Sequence, residues 1–165
     1  MNKVIINNVN EDVGENDTLI LAGDLTIKGP EFIHPLSRLI NKIKCKKKIL
    51  ILGNHDTIKA LDYVHKIGFW SVHTSLELET KDIIVVHDPA LSAIDRQRLF
   101  VGGHIHDLFV TSKNFINVGV DVWNFRPVPY EKIDELRTEM LRNGTIKRTP
   151  LMCGARYKKS MGGNE

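Results

Sequence analysis

Apolar residues in this chain gather in short runs, and the runs end alike. Thr18–Ala22, residues 48–52, Asp82–Val86 and Arg96–Val101 each read as a strand, being short, rich in Ile, Leu and Val, and bounded by polar or turn-forming residues. Phe69–His73 and Leu76–Leu78 read as two more short strands, and Lys113–Val120 as the last. Elsewhere the apolar spacing is helical. Phe32, Leu36, Leu39, Ile40 and Ile43 predict a helix over 31–44, and Ile58, Leu61, Val64 and Ile67 one over 57–67 that stops at Gly68. Ile133, Leu136, Met140 and Leu141 predict a third over 130–141, stopped by Asn143-Gly144. Residues 1–17 predict a short helix around Val4-Ile5-Ile6 and then a loop. The cationic run Lys44–Lys48 closes the helix before it, where positive charge complements the helix dipole.

Strands alternating with helices imply an α/β core. Asp24 and Asn54 lie 30 residues apart, the length of one strand–helix–strand crossover. In such sheets ligands collect beyond the carboxyl ends of the strands. The pattern supports one domain over 1–144, with no repeat or linker. From Thr145 onward Lys147, Arg148, Arg156, Lys158 and Lys159 stand among Gly, Thr and Ser, so a basic, disordered tail over 145–165 is expected.

Composition narrows the classes. At 165 residues, 42% apolar and 26% charged, the chain has the make-up of an ordinary globular domain. No apolar run approaches the roughly 20 residues of a membrane span, and the first residues hold too short an apolar block for a signal peptide. Cys45 and Cys153 form neither a disulfide framework nor a zinc spacing. A reducing, cytoplasmic setting is expected. The net charge of +3 is modest, and the Lys44–Lys48 run is read first as a solvated face. Nucleic acid enters only as a possible substrate, because the basic segments lack interleaved aromatics.

The residues just beyond the strands carry the chemistry. The first strand ends in Gly23-Asp24, the second in Gly53-Asn54-His55-Asp56, the third in His87 and the fourth in Gly102-Gly103-His104-Ile105-His106. Polar groups delivered this way from buried strands would cost several kcal/mol without partners, so four strand ends supplying Asp, Asn and His read as ligands brought to one sheet edge. Gly23, Gly53 and Gly103 precede them, where a missing Cβ allows close backbone approach.

Gly23-Asp24, Gly53-Asn54-His55-Asp56, His87 with Pro89, and Gly103-His104-Ile105-His106 resemble, in this order, the motifs of the calcineurin-like metallophosphoesterases. Asn117-Val118-Gly119-Val120-Asp121 with Arg126-Pro127-Val128 is similar to the closing segment of small single-domain bacterial and phage members. The resemblance covers residues 4–137. It implies a metallophosphoesterase-type α/β sandwich and hydrolysis of phosphomonoesters or phosphodiesters by metal-activated water. It assigns Asp24 as a bridging ligand, Asn54, His87 and His104 as its companions in one metal site, and His106 as a ligand of a second. His55 then contacts substrate phosphate and protonates the leaving oxygen, with Asp56 orienting His55. The implied cofactors are divalent ions; mixed imidazole and oxygen ligands suit Mn, Fe, Zn or Ni without choosing among them.

One family motif is missing. No Asp-x-His precedes Asp24, so the sequence reads as starting after the family's first strand, with four ligands in one site and only Asp24 and His106 in the other. Two ions, or one, therefore stay open, and so does a second function: a catalytically impaired or inactive metal-binding or interaction module that keeps the fold. Asp88, beside His87, is the first substitute ligand to consider. His34, His65 and His73 are expected on a helix surface, a helix surface and a strand face. Trp70 and Trp123 are expected to pack, Arg96 and Arg98 to occupy exposed strand positions, and Arg126 to reach phosphate or make a structural ion pair.

Overall fold

A computed structural model describes residues 1–78 and 82–146. The chain opens with helix α1 (Asn2–Asp12), then strand β1 (Thr18–Leu21). A 3-10 turn, Pro30–Phe32, leads into α2 (Ile33–Ile40), followed by β2 (Lys47–Ile51). The short helix α3 (Ala60–Asp62) runs on as a π-helical turn, Tyr63–Ile67, before β3 (Ser71–His73). Then come β4 (Leu76–Leu78), β5 (Ile83–Val85), β6 (Leu99–Gly102), the small hairpin β7 (Thr111–Ser112) and β8 (Phe115–Asn117), and finally α4 (Tyr130–Arg142).

The strands form two sheets. β1, β2 and β3 are parallel neighbours in that order, and β4-β5-β6-β8-β7 make a mixed sheet with a parallel centre and antiparallel edges. Helices cover one face of each. Val9 of α1, Ile33, Leu36 and Ile40 of α2, and Tyr63 and Ile67 of the π turn bury against Leu19 and Leu50. Ile133 and Met140 of α4 bury against Ile83, Leu99, Val101 and Ile116 on the second sheet. Strand alternation turns Ile49 and Ile51, and the set Ile84, Phe100 and Phe115, to the other faces, where they are also buried. A fully buried aliphatic side chain of this kind contributes about 1.5–3 kcal/mol. The parallel strands β1, β2, β5 and β6 end on the polar Asp, Asn and His residues of the motifs.

Several expected boundaries move. The second helix stops at Ile40 rather than 44: the Asn41 N–H still bonds the Ser37 carbonyl, but the N–H groups of Lys42 and Ile43 close tightened turns on Leu39 and Ile40. The lysine run does not cap it. Lys47 and Lys48 already belong to β2, and the buried Lys48 ammonium donates to the carbonyls of Ile43 and Cys45, at 3.4 and 2.7 Å. The helix expected over 57–67 is regular only at Ala60–Asp62 and then widens, though Gly68 ends it as expected with φ 99°. Lys113–Val120 is not one strand, because Lys113 turns at φ 48° between β7 and β8.

Arg96 and Arg98 precede β6 instead of lying on it. Arg98 pairs with Asp95 at 2.6 Å and Glu77 at 3.2 Å. Trp70, expected to pack, is 68% exposed, with the Lys47 ammonium 6.0 Å from its ring centre. It sits just before the edge strand β3, where no further strand covers it. Trp123 is half-buried and donates through Nε1 to the Asn117 carbonyl at 2.7 Å. His34 and His65 are exposed on helical turns, and His73 on β3 meets Ser71 Oγ at 2.9 Å. Ile146, two residues past the expected boundary, is buried among Ile133 and Met140. The rest of the basic tail, 147–165, lies outside the described residues.

The segment before β6 is held by one buried amide. Asn114 Nδ2 donates to the carbonyls of Ser92, Asp95 and Arg98, at 3.2, 2.8 and 2.9 Å. Asn114→Ala strands those acceptors and is expected to cost about 1–3 kcal/mol, seen as a lower urea midpoint with an unchanged slope. Asp95 adds a pH dependence. The Gln97 N–H and then the Arg98 guanidinium hold its carboxyl below the usual value. Its contribution is therefore complete above the ordinary carboxylate range and is lost as the pH falls through the lowered value.

Candidate metal centre

Four strand ends meet on the buried imidazole of His87. Its Nδ1 lies 2.8 Å from the carbonyl oxygen of Ala22, at the end of β1. A carbonyl only accepts, so Nδ1 carries the proton and Nε2 carries a lone pair. Around that Nε2 stand Asn54 Oδ1 at 2.9 Å, His104 Nδ1 at 3.0 Å and Asp24 Oδ2 at 3.1 Å. Two oxygens and an imidazole nitrogen gathered around one imidazole lone pair form a set of donors suited to a positive centre among them. Bonds of about 2.1 Å to a divalent ion put neighbouring ligand atoms about 3.0–3.4 Å apart, so the donor set fits a metal in chemistry and in spacing. Asp24, His87 and His104 offer ligand atoms that all lie within 4.8 Å of one another.

The backbone is bent to make this possible. Gly23 has φ 92°, and a Cβ there would sit 2.8 Å from His87 Cγ and 2.9 Å from the Gly53 Cα. A Cβ on Gly53 would sit 2.8 Å from Asp24 Cγ. Asp24, His104 and His106 are themselves left-handed, with φ 55°, 70° and 48°. Such conformations cost on the order of 1–3 kcal/mol each in non-glycine residues and gather at functional sites.

Asp56 supplies the brace. Its Oδ2 accepts from the backbone N–H of Gly53 at 2.8 Å and of Asp24 at 2.9 Å, and its Oδ1 from Leu25 N–H and Tyr63 Oη–H, each at 3.0 Å. Asp24 Oδ1 in turn accepts from the His55 N–H at 2.9 Å, leaving Oδ2 for His87. The expected pairing of Asp56 with the His55 ring is thus replaced: Asp56 ties the β1 loop to the β2 loop. Burial and the adjacent Asp56 carboxylate push the Tyr63 hydroxyl well above its usual pKa, so Tyr63 is a neutral donor.

Asp24, Asn54, His87 and His104 are brought together as the sequence suggested. His55 is exposed beside them. His106 stands apart: its side chain is 83% exposed, and its Nδ1 lies 3.3 Å from Asp121 Oδ2. Asp88 Oδ1 accepts from Ala90 N–H and caps the 3-10 turn Pro89–Ala93, so it serves the loop instead of replacing a ligand. Arg126 makes ion pairs on the protein surface, with Asp12 at 2.6 Å and Glu11 at 2.9 Å. Sequence reasoning placed Asn117 in the closing segment but gave it no role at the site. Fully buried at the end of β8, it donates through Nδ2 to the carbonyls of His106 and Phe109 at 2.7 and 2.9 Å. The available signal was one more apolar strand ending in a polar residue.

A family model, calcineurin-like phosphoesterase, matches residues 2–145. The chain belongs to the calcineurin-like phosphoesterase family. The two-sheet α/β architecture is a metallophosphoesterase-type fold. A protein of unknown function from Aquifex aeolicus, AQ665, has a solved structure similar over 82% of this chain and 84% of its own, with a TM-score of 0.62 and 22% identity. At that identity the likeness concerns the fold alone. A search of curated proteins returns no match. The chemistry of calcineurin-like phosphoesterases is metal-dependent hydrolysis of phosphoesters, and Asp24, His87 and His104 form a group able to hold such a metal. No helix among the described residues is long and apolar enough to cross a membrane.

The brace gives a direct test. Tyr63→Phe removes a hydrogen bond to a carboxylate and is expected to cost about 1.5–3 kcal/mol at neutral pH. With its folded-state pKa raised, the Tyr63 contribution is complete below the ordinary tyrosine value of about 10 and declines as pH rises beyond it. Thermal melts from pH 8 to 11 should therefore show a steeper alkaline loss in the wild type than in Tyr63→Phe.

Proposed function

We propose that this chain hydrolyses phosphomonoesters or phosphodiesters at the His87 centre. The observation that carries the reading is the convergence of Asp24 Oδ2, Asn54 Oδ1 and His104 Nδ1 on the lone pair of His87 Nε2. A divalent ion held there, Mn, Fe, Zn or Ni, supplies charge that acidifies a water and neutralises phosphate oxygens. The residues do the rest. His87, fixed in one tautomer by the Ala22 carbonyl, presents Nε2. Asp24 presents one oxygen while its other is held by the His55 N–H. Asn54 and His104 are exposed beside the buried His87. The attacking water would lose a proton to solvent and bond through its oxygen to phosphorus as the bond to the leaving oxygen breaks. The exposed His55, as imidazolium, would give that oxygen a proton and take one back from solvent. Asp56 acts through the backbone, holding the loops that carry Asp24 and Asn54 in register. His106 is assigned to a second ion, and a cytoplasmic setting belongs to the same proposal.

A different reading has its own support. His106 lies outside the three-residue group, which favours a module that keeps one metal and has little catalytic power. Two measurements separate them. Mn²⁺ at 100 times its Kd should add about 2.7 kcal/mol of stability to the wild type, raising its Tm, and should leave His87→Ala unmoved. An equal response in both proteins would place the ion elsewhere. For catalysis, His55→Ala should lower turnover of an alkyl phosphoester by about 10²–10⁴-fold with metal content unchanged, and lower p-nitrophenyl ester turnover much less, since that leaving group hardly needs a proton. A metal-loaded wild type that turns over neither ester would favour the module.

A further inference from the structure

The geometry points to Asp121 as the positioning residue of His106, set by a surface strap that is anchored on the first helix. The Asp121 carboxylate lies 3.3 Å from His106 Nδ1. A carboxylate accepts only, so this contact puts the ring proton on Nδ1 and the lone pair on Nε2. A free histidine side chain in water favours the opposite tautomer, with the proton on Nε2. A side chain as exposed as His106 would otherwise spend most of its time with the proton on Nε2 and the ring free to turn.

Asp121 is itself held. It sits in the 3-10 turn Val120–Val122, between a glycine bonded to Asn117 and two left-handed residues. Gly119 N–H donates to Asn117 Oδ1 at 2.8 Å, Trp123 Nε1 to the Asn117 carbonyl at 2.7 Å, and Phe125 N–H to the Val120 carbonyl at 2.9 Å. Asn124 and Phe125 have φ 53° and 59°. The far end of the strap is tied to α1. Asn8 Nδ2 donates to the Phe125 carbonyl at 2.9 Å, and the Arg126 guanidinium spans Asp12 Oδ1 and Glu11 Oε2. Asn117 Nδ2 meanwhile holds the His106 carbonyl at 2.7 Å. Backbone and ring of His106 are thus set from two directions, by a buried amide and by an anchored carboxylate. Arg126, more than 100 positions from α1 in sequence, acts through this strap and touches no reacting atom.

The relevance of His106 to hydrolysis rests on the function proposed for the His87 centre, so the decisive readout is independent of activity. Long-range ¹H–¹⁵N spectra of the metal-free full chain, with His106 assigned by loss of its signals in His106→Gln, report which ring nitrogen is protonated in the neutral imidazole. The wild type is expected to show the proton on Nδ1, Asp121→Ala to show it mainly on Nε2, and Asp121→Asn, which still offers an acceptor oxygen, to restore Nδ1. Arg126→Gln is expected to shift the ratio in the same direction as Asp121→Ala, by less. A wild-type ring protonated on Nε2, or no change in Asp121→Ala, overturns the assignment; no change in Arg126→Gln overturns the anchoring. With metal present, phosphodiester turnover should fall about 10–100-fold in Asp121→Ala and recover in Asp121→Asn, and equal turnover in all three overturns the catalytic relevance. If the tautomer shifts as expected while no protein hydrolyses ester at any metal concentration, the positioning stands and the phosphoesterase reading falls.

Discussion

A carboxylate that accepts four hydrogen bonds from three separate pieces of chain fixes how the loops around the site stand to one another. Asp56 takes N–H groups from Gly53, Asp24 and Leu25 and the hydroxyl of Tyr63. The first belongs to its own turn, the next two to the loop after β1, and the last to the π turn after α3. Parallel strands fix where these loops begin, but nothing in strand pairing fixes how their tips stand to each other. Charge-assisted bonds to backbone, partly withdrawn from water, supply that second constraint.

The loops so held accept strain. Asp24 at φ 55° and Gly53 without a Cβ bring an aspartate oxygen and an asparagine oxygen close to one imidazole nitrogen. Two oxygens and the His104 ring so face the same imidazole nitrogen. The His87 side chain is buried, hydrogen-bonded to Ala22, and aimed at a position that suits a cation.

The segment that carries His106 is held by different means. His104 rests against His87 with the rings edge to face, 4.9 Å between centres, whereas His106 two residues on is turned out to solvent. The left-handed φ of both residues separates them. Asn117 and Asp121, from β8 and the chain after it, recover His106 by its carbonyl and its ring. The closing segment and α1, far apart along the chain, so become one mechanical unit on the rim of the sheet.

The alternation of apolar runs and the polar residue after each run were enough to read the α/β class and to pick out Asp24, Asn54, His87 and His104, because the carboxyl ends of parallel strands share an edge. The expected single sheet edge proved to be two, with β1 and β2 in one sheet and β5 and β6 in the other. The same local reasoning misplaced Lys48 and Trp70. Whether a cation caps a helix or satisfies carbonyls from within a strand depends on where the helix frays, and whether an indole packs depends on what covers an edge strand. The role of Asp56 was likewise beyond sequence: adjacency suggested His55 as its partner, while the folded chain offered it backbone N–H groups from 32 residues away. Only tertiary structure decided that His106 belongs with Asp121 and Arg126 with α1, because those contacts join segments whose separation in sequence carries no information about distance in space.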